Sequence, residues 1–287
     1  MDYKPCTVVA EACCNHQGNL DIAKEMIKIS KLCGADYVKF QKRNPEKAVP
    51  INMHKKPHPC PINSFGETYL EHRKKLEFTL DQHIELKQYC DNVGIGYSCS
   101  VWDEDSARDI ISLNSDFIKV PSPMNENYFL LDILFKEYDK DIHISLGMIE
   151  NEAKRDLFNY LIERKDRVIM YHTTSGYPVK FEELYLKEIS KLLCEFPVVG
   201  FSGHHLGIAA DIAAYSLGAT WIERHFTLDR TAKGTDQAAS LEPSGLQKMV
   251  RDLKAIYKSF SYKSRLTEDE MKNAEKLKIK IPMRRQG

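Results

Sequence analysis

The chain has 287 residues, enough for one large α/β barrel or for two smaller domains. Its 41 Lys plus Arg residues balance its 41 Asp plus Glu residues, so we expect no general attraction to nucleic acid or to an anionic membrane. No apolar run approaches the roughly 20 residues that span a bilayer, and the amino terminus lacks a signal-peptide pattern.

The eight cysteines are scattered along the chain. None of them has the Cys-x-x-Cys spacing of a zinc ribbon, and their positions do not indicate a disulfide framework. Several lie inside apolar strand or helix patterns, as buried thiols do. The sequence therefore predicts a reducing, cytoplasmic compartment.

Short apolar segments alternate with amphipathic segments from residue 7 to residue 260. The apolar segments predict eight strands, within 7–13, 37–41, 96–101, 117–120, 143–146, 168–171, 198–207 and 221–227. The amphipathic segments predict helices over 21–32, 81–93, 104–113, 128–135, 150–164, 182–196, 208–217 and 242–260.

This alternation predicts a (β/α)8 TIM barrel, an α/β fold of about this length, as a single domain over residues 1–287. A doubly wound open sheet is the alternative. It needs no eighth strand, however, and no Gly-x-Gly-x-x-Gly follows the first predicted strand. The barrel is therefore the favoured fold.

Two segments stand outside this alternation. Residues 42–80, after the second predicted strand, hold five prolines, at 45, 50, 57, 59 and 61. Long connections of this kind are typical of lids and binding loops, and a disordered insertion is the alternative. From about residue 266 the chain is highly charged and becomes basic over 276–285, which predicts a solvated helix with a frayed end.

Histidines follow the last two predicted strands, namely His204 or His205 after the seventh and His225 after the eighth. The helix between these strands makes them parallel neighbours. Both histidines then emerge at the carboxyl-terminal edge, where parallel α/β folds place their active sites. Since neutral histidine is the commonest metal ligand, the pair predicts a divalent metal site. The alternative is one core histidine and one surface histidine.

Lys39 and Lys119 each lie inside an apolar strand, where a charge is costly unless it meets a partner. Together with several hydroxyl side chains at the strand ends, they predict a site for an anion with more than one charge, such as a phosphate with a carboxylate. The alternative is that each lysine neutralises a buried carboxylate such as Glu11. A metal beside this anion site indicates Lewis-acid polarisation of a carbonyl group.

Eight segments carry these polar residues in a fixed order, including Glu-Ala-Cys-Cys-Asn-His-Gln-Gly-Asn at 11–19, Gly-Phe-Ser-Gly-His at 200–204 and Lys-Gly-Thr-Asp-Gln-Ala-Ala-Ser-Leu-Glu-Pro at 233–243. The others lie at 35–41, 118–122, 145–148, 177–178 and 223–230. In this order they resemble the sialic acid (N-acetylneuraminate) synthase family, over roughly residues 5 to 260. The Ser-Gly-His and Lys-Gly-Thr-Asp stretches look most like the animal-type branch.

The resemblance implies a TIM-barrel transferase that condenses phosphoenolpyruvate with an open-chain N-acylated amino-sugar aldehyde, releasing phosphate and giving a nine-carbon 2-keto-3-deoxy acid. It also implies a divalent metal, Mn²⁺ or Mg²⁺, held by His204 and His225. Phosphoenolpyruvate would be held by Lys39, Lys119, Ser122, Ser145 and Ser202. Cys99 and Ser175 stand in the same pocket, where the family usually has Thr and often Asn. Glu11, Gln41, Tyr177 and Asp236 would face the acceptor sugar and the reacting carbons.

Full-length members of that family carry a small antifreeze-like domain that caps the partner subunit's barrel in a dimer. The sequence stops at Gly287, about where that domain would begin. We therefore expect one of three outcomes: a separate cap subunit, a cap formed by the proline-rich loop over 44–66, or a different acceptor. The family's homodimer is also an expectation.

Three other functions remain open at this stage. A related phosphoenolpyruvate-dependent synthase would use a phosphorylated or shorter sugar, which the lack of an evident second phosphate site argues against. A metal-dependent pyruvate aldolase would release no phosphate. A non-catalytic barrel that serves as a partner subunit is disfavoured, because Glu11, both lysines, both histidines and Asp236 are retained.

Overall fold

The computed structural model describes residues 4–279 and contains a closed barrel of eight parallel strands in chain order. The eighth strand pairs with the first and closes the barrel. The strands are β1 Thr7–Glu11, β2 Tyr37–Lys42, β3 Gly96–Val101, β4 Phe117–Val120, β5 Ile142–Ser145, β6 Val168–Thr173, β7 Val199–Gly203 and β8 Trp221–His225. The predicted (β/α)8 TIM barrel is confirmed.

Helices surround the barrel and cover its outer face. They are α1 Leu20–Leu32, α2 Pro45–Ala48, α3 Tyr69–Leu76, α4 Leu80–Val93, α5 Glu104–Ser112, α6 Tyr128–Glu137, α7 Asn151–Leu161, α8 Glu188–Leu192, α9 Ala209–Ser216, α10 Pro243–Ser259 and α11 Glu268–Leu277. Local sequence fixes their ends: α4 begins with a capping box of Thr79 and Gln82 and ends at Gly94, whose φ of 72° is left-handed.

One predicted helix, over 182–196, forms only in part. The segment 182–196 forms a 3-10 turn at Phe181–Glu183 and then the short helix α8. Tyr185 between them has a φ of 45°, a left-handed conformation that interrupts a right-handed helix. The carbonyl groups before it are engaged elsewhere, because Thr174 Oγ1 donates to the Glu183 carbonyl and His172 Nε2 bonds the Leu184 carbonyl. Apolar periodicity alone did not reveal this break.

The predicted helix 150–164 is also shorter than expected, since it ends at Leu161 and continues as a 3-10 helix over Ile162–Arg167. The connection over 42–80 is not a structureless loop. It contains α2, α3 and two 3-10 turns. Lys74 Nζ lies 2.6 Å from Glu46 Oε1 and links α3 to α2, and the buried His58 ring lies 4.4 Å from that of His72. The connection is therefore an ordered part of the fold.

The barrel interior is filled with aromatic rings near the amino-terminal ends of the strands. Phe117 stacks on His143 with ring centroids 3.8 Å apart, and Tyr37 stacks on Trp221 at 5.5 Å. Towards the carboxyl-terminal ends, the inward-facing residues become polar and charged. Glu11 is the residue paired with Lys39 on β2 and with His225 on β8. The fold thus gathers the charged side chains at one rim.

The last helix, α11, lies on the surface. All side chains of α11 are at least partly exposed, in agreement with the predicted solvated helix, while 280–287 of the predicted basic tail lie outside the described residues.

The eight cysteines are unpaired. Within residues 4–279, no helix combines the length and apolar character needed to cross a membrane.

Candidate active site

A cavity opens at the carboxyl-terminal ends of the strands and receives side chains from all eight of them. Its volume is about 190 Å³, and it opens to solvent at its mouth. The strand residues that line it are Glu11, Lys39, Gln41, Ser100, Lys119, Ser145, Thr173, Ser202, Glu223 and His225.

Every predicted site residue except Cys99 lines this cavity. Cys99 is paired in register with Phe40 and Ile118, and all three belong to the apolar layer between barrel and helices. Its neighbour Ser100 faces inward, since successive strand residues point to opposite faces. The placement of Cys99 at the pocket is therefore corrected to Ser100, and the alternation along β3 was the signal that identifies it.

Two lysines and two glutamates form a charge network on the barrel axis. Lys39 is ion-paired with Glu11 and donates to Ser100 Oγ at 2.6 Å. Lys119 Nζ lies 2.8 Å from Glu223 Oε1. Burial acts to raise the pKa of Glu223, but the charges of Lys119 and Lys39 outweigh it and hold the pKa below its usual range. Both lysines thus have carboxylate partners, as the structural alternative expected.

The network leaves hydrogen-bonding capacity for a ligand. Oε2 of Glu223 is buried without a hydrogen-bond partner among the described residues. An ammonium group has three N–H donors, and Lys119 uses only one of them, towards Glu223, among residues 4–279. The charges of the network therefore balance one another, and Lys119 still has N–H groups that can donate to an anion.

A row of hydroxyl groups lines the same cavity as Lys119. Ser122 Oγ donates to Ser145 Oγ at 3.2 Å, and Ser145 Oγ lies 2.9 Å from Thr173 Oγ1. Gly147 leaves the space in which these side chains meet, because a Cβ there would lie 2.5 Å from Ser122 Oγ and 2.2 Å from Ser175 Oγ. Hydroxyl donors next to a buried ammonium group form a suitable site for phosphate or carboxylate oxygens.

The two predicted metal ligands face each other at the rim. The His204 and His225 rings have centroids 5.2 Å apart. His204 Nδ1 lies 3.0 Å from the Thr174 carbonyl oxygen, an arrangement in which Nδ1 donates and Nε2 keeps its lone pair. Burial and the nearby His225 lower the pKa of His204 to about 3, so the ring is neutral at neutral pH.

The structure also distinguishes His204 from His205. His205 lies on the outer side, where Arg224 Nη1 contacts its Nε2 at 3.1 Å and Asp211 Oδ2 at 2.6 Å. All three of these side chains are buried away from the cavity. The histidine at the rim of β7 is therefore His204.

The donor atoms at the rim fit a divalent cation. His225 Nδ1 is buried without a hydrogen-bond partner among the described residues, and Asp236 Oδ2 lies 4.0 Å from it. Cys13 Sγ belongs to the same group of donor atoms, all within 4.8 Å of one another. An unpartnered imidazole nitrogen beside a carboxylate is an arrangement that a metal ion satisfies.

Several cavity residues were not identified from the sequence, above all Arg73 on α3 and Arg43 after β2. Arg43 is ion-paired with Glu77 and stacks on Trp102 at 4.4 Å. Arg73 Nη2 donates to the Tyr69 hydroxyl at 2.8 Å, but Arg73 forms no ion pair within residues 4–279. Both arginines lie in the 42–80 connection, which the sequence predicts to be a lid or binding loop, and this position is the feature that could have identified them.

The chain is similar to known proteins over most of its length. The model of the NeuB family matches residues 26–265. The human N-acetylneuraminate-9-phosphate synthase is 38% identical over 287 residues, covering 97% of this chain and 79% of the relative. The N,N'-diacetyllegionaminic acid synthase of Campylobacter jejuni is 33% identical over 260 residues, covering 89% of this chain and 78% of the relative.

Solved structures give the same result. The N-acetylneuraminic acid (sialic acid) synthetase of Leptospira borgpetersenii, in complex with citrate, superposes with a TM-score of 0.80 at 26% identity, covering 95% of this chain and 91% of the other. A truncated 3-deoxy-D-arabino-heptulosonate 7-phosphate synthase of Thermotoga maritima has a TM-score of 0.66 at 14% identity, covering 88% of this chain and 87% of the other. The second likeness concerns the fold alone.

Proposed function

The chain belongs to the NeuB family of sialic acid-type synthases, and on that premise we propose that it condenses phosphoenolpyruvate with an amino-sugar aldehyde. The products are phosphate and a nine-carbon 2-keto-3-deoxy acid. The observation that carries this proposal is the placement of Lys39 and Lys119 beside a row of hydroxyls, next to a pair of rim histidines. An anion that carries both a phosphate and a carboxylate then meets a carbonyl group in one cavity.

Phosphoenolpyruvate occupies the anion site on the barrel axis. Its phosphate and carboxylate groups accept hydrogen bonds from Lys39, Lys119 and the hydroxyl groups around them. The hydroxyls that supply these bonds are Ser100, Ser122, Ser145, Ser175 and Ser202. Ser202 Oγ already lies 3.1 Å from Glu223 Oε1, which keeps it directed towards the axis.

His204 and His225 hold the divalent ion, Mn²⁺ or Mg²⁺, with Asp236 close to His225. When bound, the ion supplies Lewis-acid polarisation of the aldehyde oxygen. The low pKa of His204 supports this role, because a neutral imidazole needs no proton removed before it binds a metal.

Glu11 stabilises the positive charge that develops at C2 when C3 of phosphoenolpyruvate forms its bond to the aldehyde carbon. Its carboxylate is held in place, since Gln41 Nε2 donates to Oε1 at 2.9 Å and Lys39 is its ion-pair partner. Gln41 and Tyr177 face the acceptor. The Tyr177 ring lies 4.2 Å from that of His204, at the same rim.

Asp236 accepts a proton from the water that adds to C2. Burial acts to raise the pKa of Asp236, but His225 and the Cys13 thiol outweigh it and lower the pKa, so that the carboxylate is ionised at neutral pH. In the tetrahedral intermediate the C2–O bond to the phosphate group then breaks, the electron pair leaves with phosphate, and the new C2 hydroxyl loses its proton to give the ketone. The former aldehyde oxygen, which gains an electron pair as the C–C bond forms, takes up a proton and becomes a hydroxyl group.

At the acceptor end, Arg73 supports a phosphorylated sugar. Its guanidinium lines the cavity without an ion-pair partner among residues 4–279, and guanidinium groups bind phosphate through paired hydrogen bonds. The sequence had offered no second phosphate site, and Arg73 supplies one. The human relative is named for a 9-phosphate product. We therefore place an N-acyl-hexosamine 6-phosphate, rather than the free sugar, against Arg73.

We also propose that residues 1–287 act as one barrel domain. We place the protein in a reducing, cytoplasmic compartment, since the eight cysteines are unpaired. The connection over 42–80 covers the acceptor end, because Arg43 and Arg73 enter the cavity from it. A required partner subunit, in a homodimer or as a separate cap, would instead make specific activity depend on protein concentration.

The test is release of inorganic phosphate from phosphoenolpyruvate with Mn²⁺ across a panel of aldehydes. The panel contains N-acetylmannosamine, its 6-phosphate, a di-N-acylated hexose and arabinose 5-phosphate. Release that requires an aldehyde and is fastest with N-acetylmannosamine 6-phosphate is expected. Absence of aldehyde-dependent release, or turnover of pyruvate without phosphate release, would reject the proposed reaction.

A further inference from the structure

We propose that Cys13, His225 and Asp236 form a thiolate-containing cation site that selects a borderline-soft divalent ion of the Zn²⁺ class. The proposal goes beyond the proposed synthase and rests on it through two shared residues, His225 and Asp236. It concerns a thiol that the proposed chemistry does not use.

The three donor atoms are close together. Cys13 Sγ lies 2.7 Å from Asp236 Oδ2, and His225 Nδ1 lies 4.0 Å from the same oxygen. With metal–ligand bonds of about 2.0–2.3 Å, the ligand atoms of a tetrahedral zinc site lie roughly 3.5 Å apart. The Sγ–Oδ2 separation must therefore widen and the Nδ1–Oδ2 separation must shorten, each by less than about 1 Å. Small side-chain rotations provide such changes.

The nitrogen of this group has no protein hydrogen-bond partner among the described residues. His225 Nδ1 is buried and lacks a hydrogen-bond partner among the described residues. An unpartnered buried nitrogen carries an energetic cost. A bound ion removes that cost, which a hydrogen bond from the Cys13 thiol to Asp236 alone does not.

The backbone presents the thiol at this position. Cys13 has a φ of 47°, and a non-glycine residue keeps this left-handed conformation only when its surroundings enforce it. Its side chain is 4% exposed and is contacted by Gln41 Nε2 at 2.9 Å on the side of Glu11. The thiol is thus enclosed within the cavity wall and directed at Asp236.

The donor set determines the ion class. Mg²⁺ prefers oxygen ligands in an octahedral arrangement, whereas a thiolate with an imidazole and a carboxylate suits Zn²⁺ or Co²⁺. The thiol loses its proton to solvent as the ion binds. Since His225 also belongs to the proposed Mn²⁺ or Mg²⁺ pair with His204, the two positions compete for one imidazole. Zn²⁺ bound at Cys13 therefore displaces the harder ion from the rim.

The test is a Co²⁺ titration of the 287-residue protein, followed by its near-ultraviolet thiolate-to-metal charge-transfer band. The wild type is compared with Cys13→Ser and with the control Cys194→Ser, which removes an exposed thiol. We expect the band in the wild type and the control and its loss in Cys13→Ser. Competition with a chromophoric chelator should show Zn²⁺ affinity falling more than roughly tenfold in Cys13→Ser.

A wild type without the band would overturn the proposal. So would a band that survives in Cys13→Ser while circular dichroism shows a native fold, since the thiolate would then be Cys14, whose Sγ lies 3.5 Å from Cys13 Sγ. If Mn²⁺-dependent phosphate release is intact but no thiolate ligation is seen, the thiolate site is rejected and the proposed synthase is not. Thiolate ligation without phosphate release would reject the synthase alone.

Discussion

Lys119 Nζ lies 2.8 Å from Glu223 Oε1 in the enclosed centre of the barrel, where each side chain is only 4% exposed. Lys39 Nζ reaches the same oxygen at 3.7 Å. One carboxylate oxygen therefore serves two buried lysines. The resting site is neutralised before any anion enters, and substrate binding must act on this balance.

Glu223→Gln removes a charge that both lysines use. Loss of one partner of a buried ion pair costs about 3–5 kcal/mol, and we expect the free energy of unfolding to fall by that order. Phosphoenolpyruvate should then raise the Tm of the variant more than that of the wild type, because the anion neutralises the lysines. Glu195→Gln at an exposed ion pair is the control, with an expected cost below about 1 kcal/mol. An equal or smaller ligand-induced shift in Glu223→Gln would place the anion elsewhere.

Substitution of the adjacent β3 residues Ser100 and Cys99 should affect different properties, substrate binding in the first case and stability in the second. Ser100→Ala removes the hydroxyl that accepts from Lys39 and should raise the KM for phosphoenolpyruvate roughly tenfold, as the loss of about one hydrogen bond to a charged group does. Cys99→Ala lies in the apolar layer and should lower stability by about 1 kcal/mol with KM unchanged. Steady-state kinetics and urea unfolding of both variants decide this. The reverse pattern would restore Cys99 to the site.

Glu11→Gln keeps the shape of the side chain and removes its charge. If Glu11 stabilises the developing charge at C2, kcat should fall roughly 100-fold while the KM for phosphoenolpyruvate changes little. The variant must first show a native circular dichroism spectrum, since Glu11 is also the ion-pair partner of Lys39. An unchanged kcat would remove Glu11 from the mechanism.

Arg73→Met removes the unpaired guanidinium at the acceptor end. Charge-assisted hydrogen bonds contribute about 1.5–3 kcal/mol, so kcat/KM for N-acetylmannosamine 6-phosphate should fall roughly 10–100-fold. The KM for phosphoenolpyruvate should not change. Arg155→Met on the exposed face of α7 is the matched control. Equal effects on the phosphorylated and the free sugar would show that Arg73 does not bind the acceptor phosphate.

Stability should fall with acid because His83 is buried in its neutral form. Burial, with a smaller effect of Lys42, lowers the pKa of His83 from 6.5 to about 3. Between these values the unfolded chain binds a proton that the native state does not, so stability decreases as the pH falls below 6.5 and is independent of this group above it. From about pH 7 to about pH 5 the loss due to His83 is about 2 kcal/mol.

Urea unfolding of wild type and His83→Gln at these two pH values measures this contribution. The variant should be less sensitive to acid by that amount, although it also loses the hydrogen bond between His83 Nδ1 and the Tyr97 hydroxyl at both pH values. An identical pH dependence in both proteins would contradict the assignment to His83.

The barrel and most of its rim could be predicted, because strands buried on both faces and helices with one apolar face leave clear periodic patterns. The strand ends then located His225 and the two lysines. The strand pattern alone leaves His204 and His205 open, since the side-chain direction after β7 depends on packing with Arg224, and only the family resemblance selects His204.

The remaining errors have specific causes. Cys99 was misplaced by one position, which in a strand reverses the face that a side chain occupies. The helix over 182–196 is interrupted at Tyr185 by tertiary hydrogen bonds that no local pattern encodes. Arg73 escaped notice because it lies far along the chain from the strands it faces, in the connection that folds over the cavity.

The most direct test of the account follows the carbon–carbon bond. Phosphoenolpyruvate labelled with ¹³C at C3 is incubated with the protein, Mn²⁺ and N-acetylmannosamine 6-phosphate, and the products are observed by NMR. We predict that the label appears in the C3 methylene of a nine-carbon 2-keto acid, in a one-to-one ratio with released phosphate. Label that stays in phosphoenolpyruvate, or that appears in pyruvate, would contradict the proposed synthase.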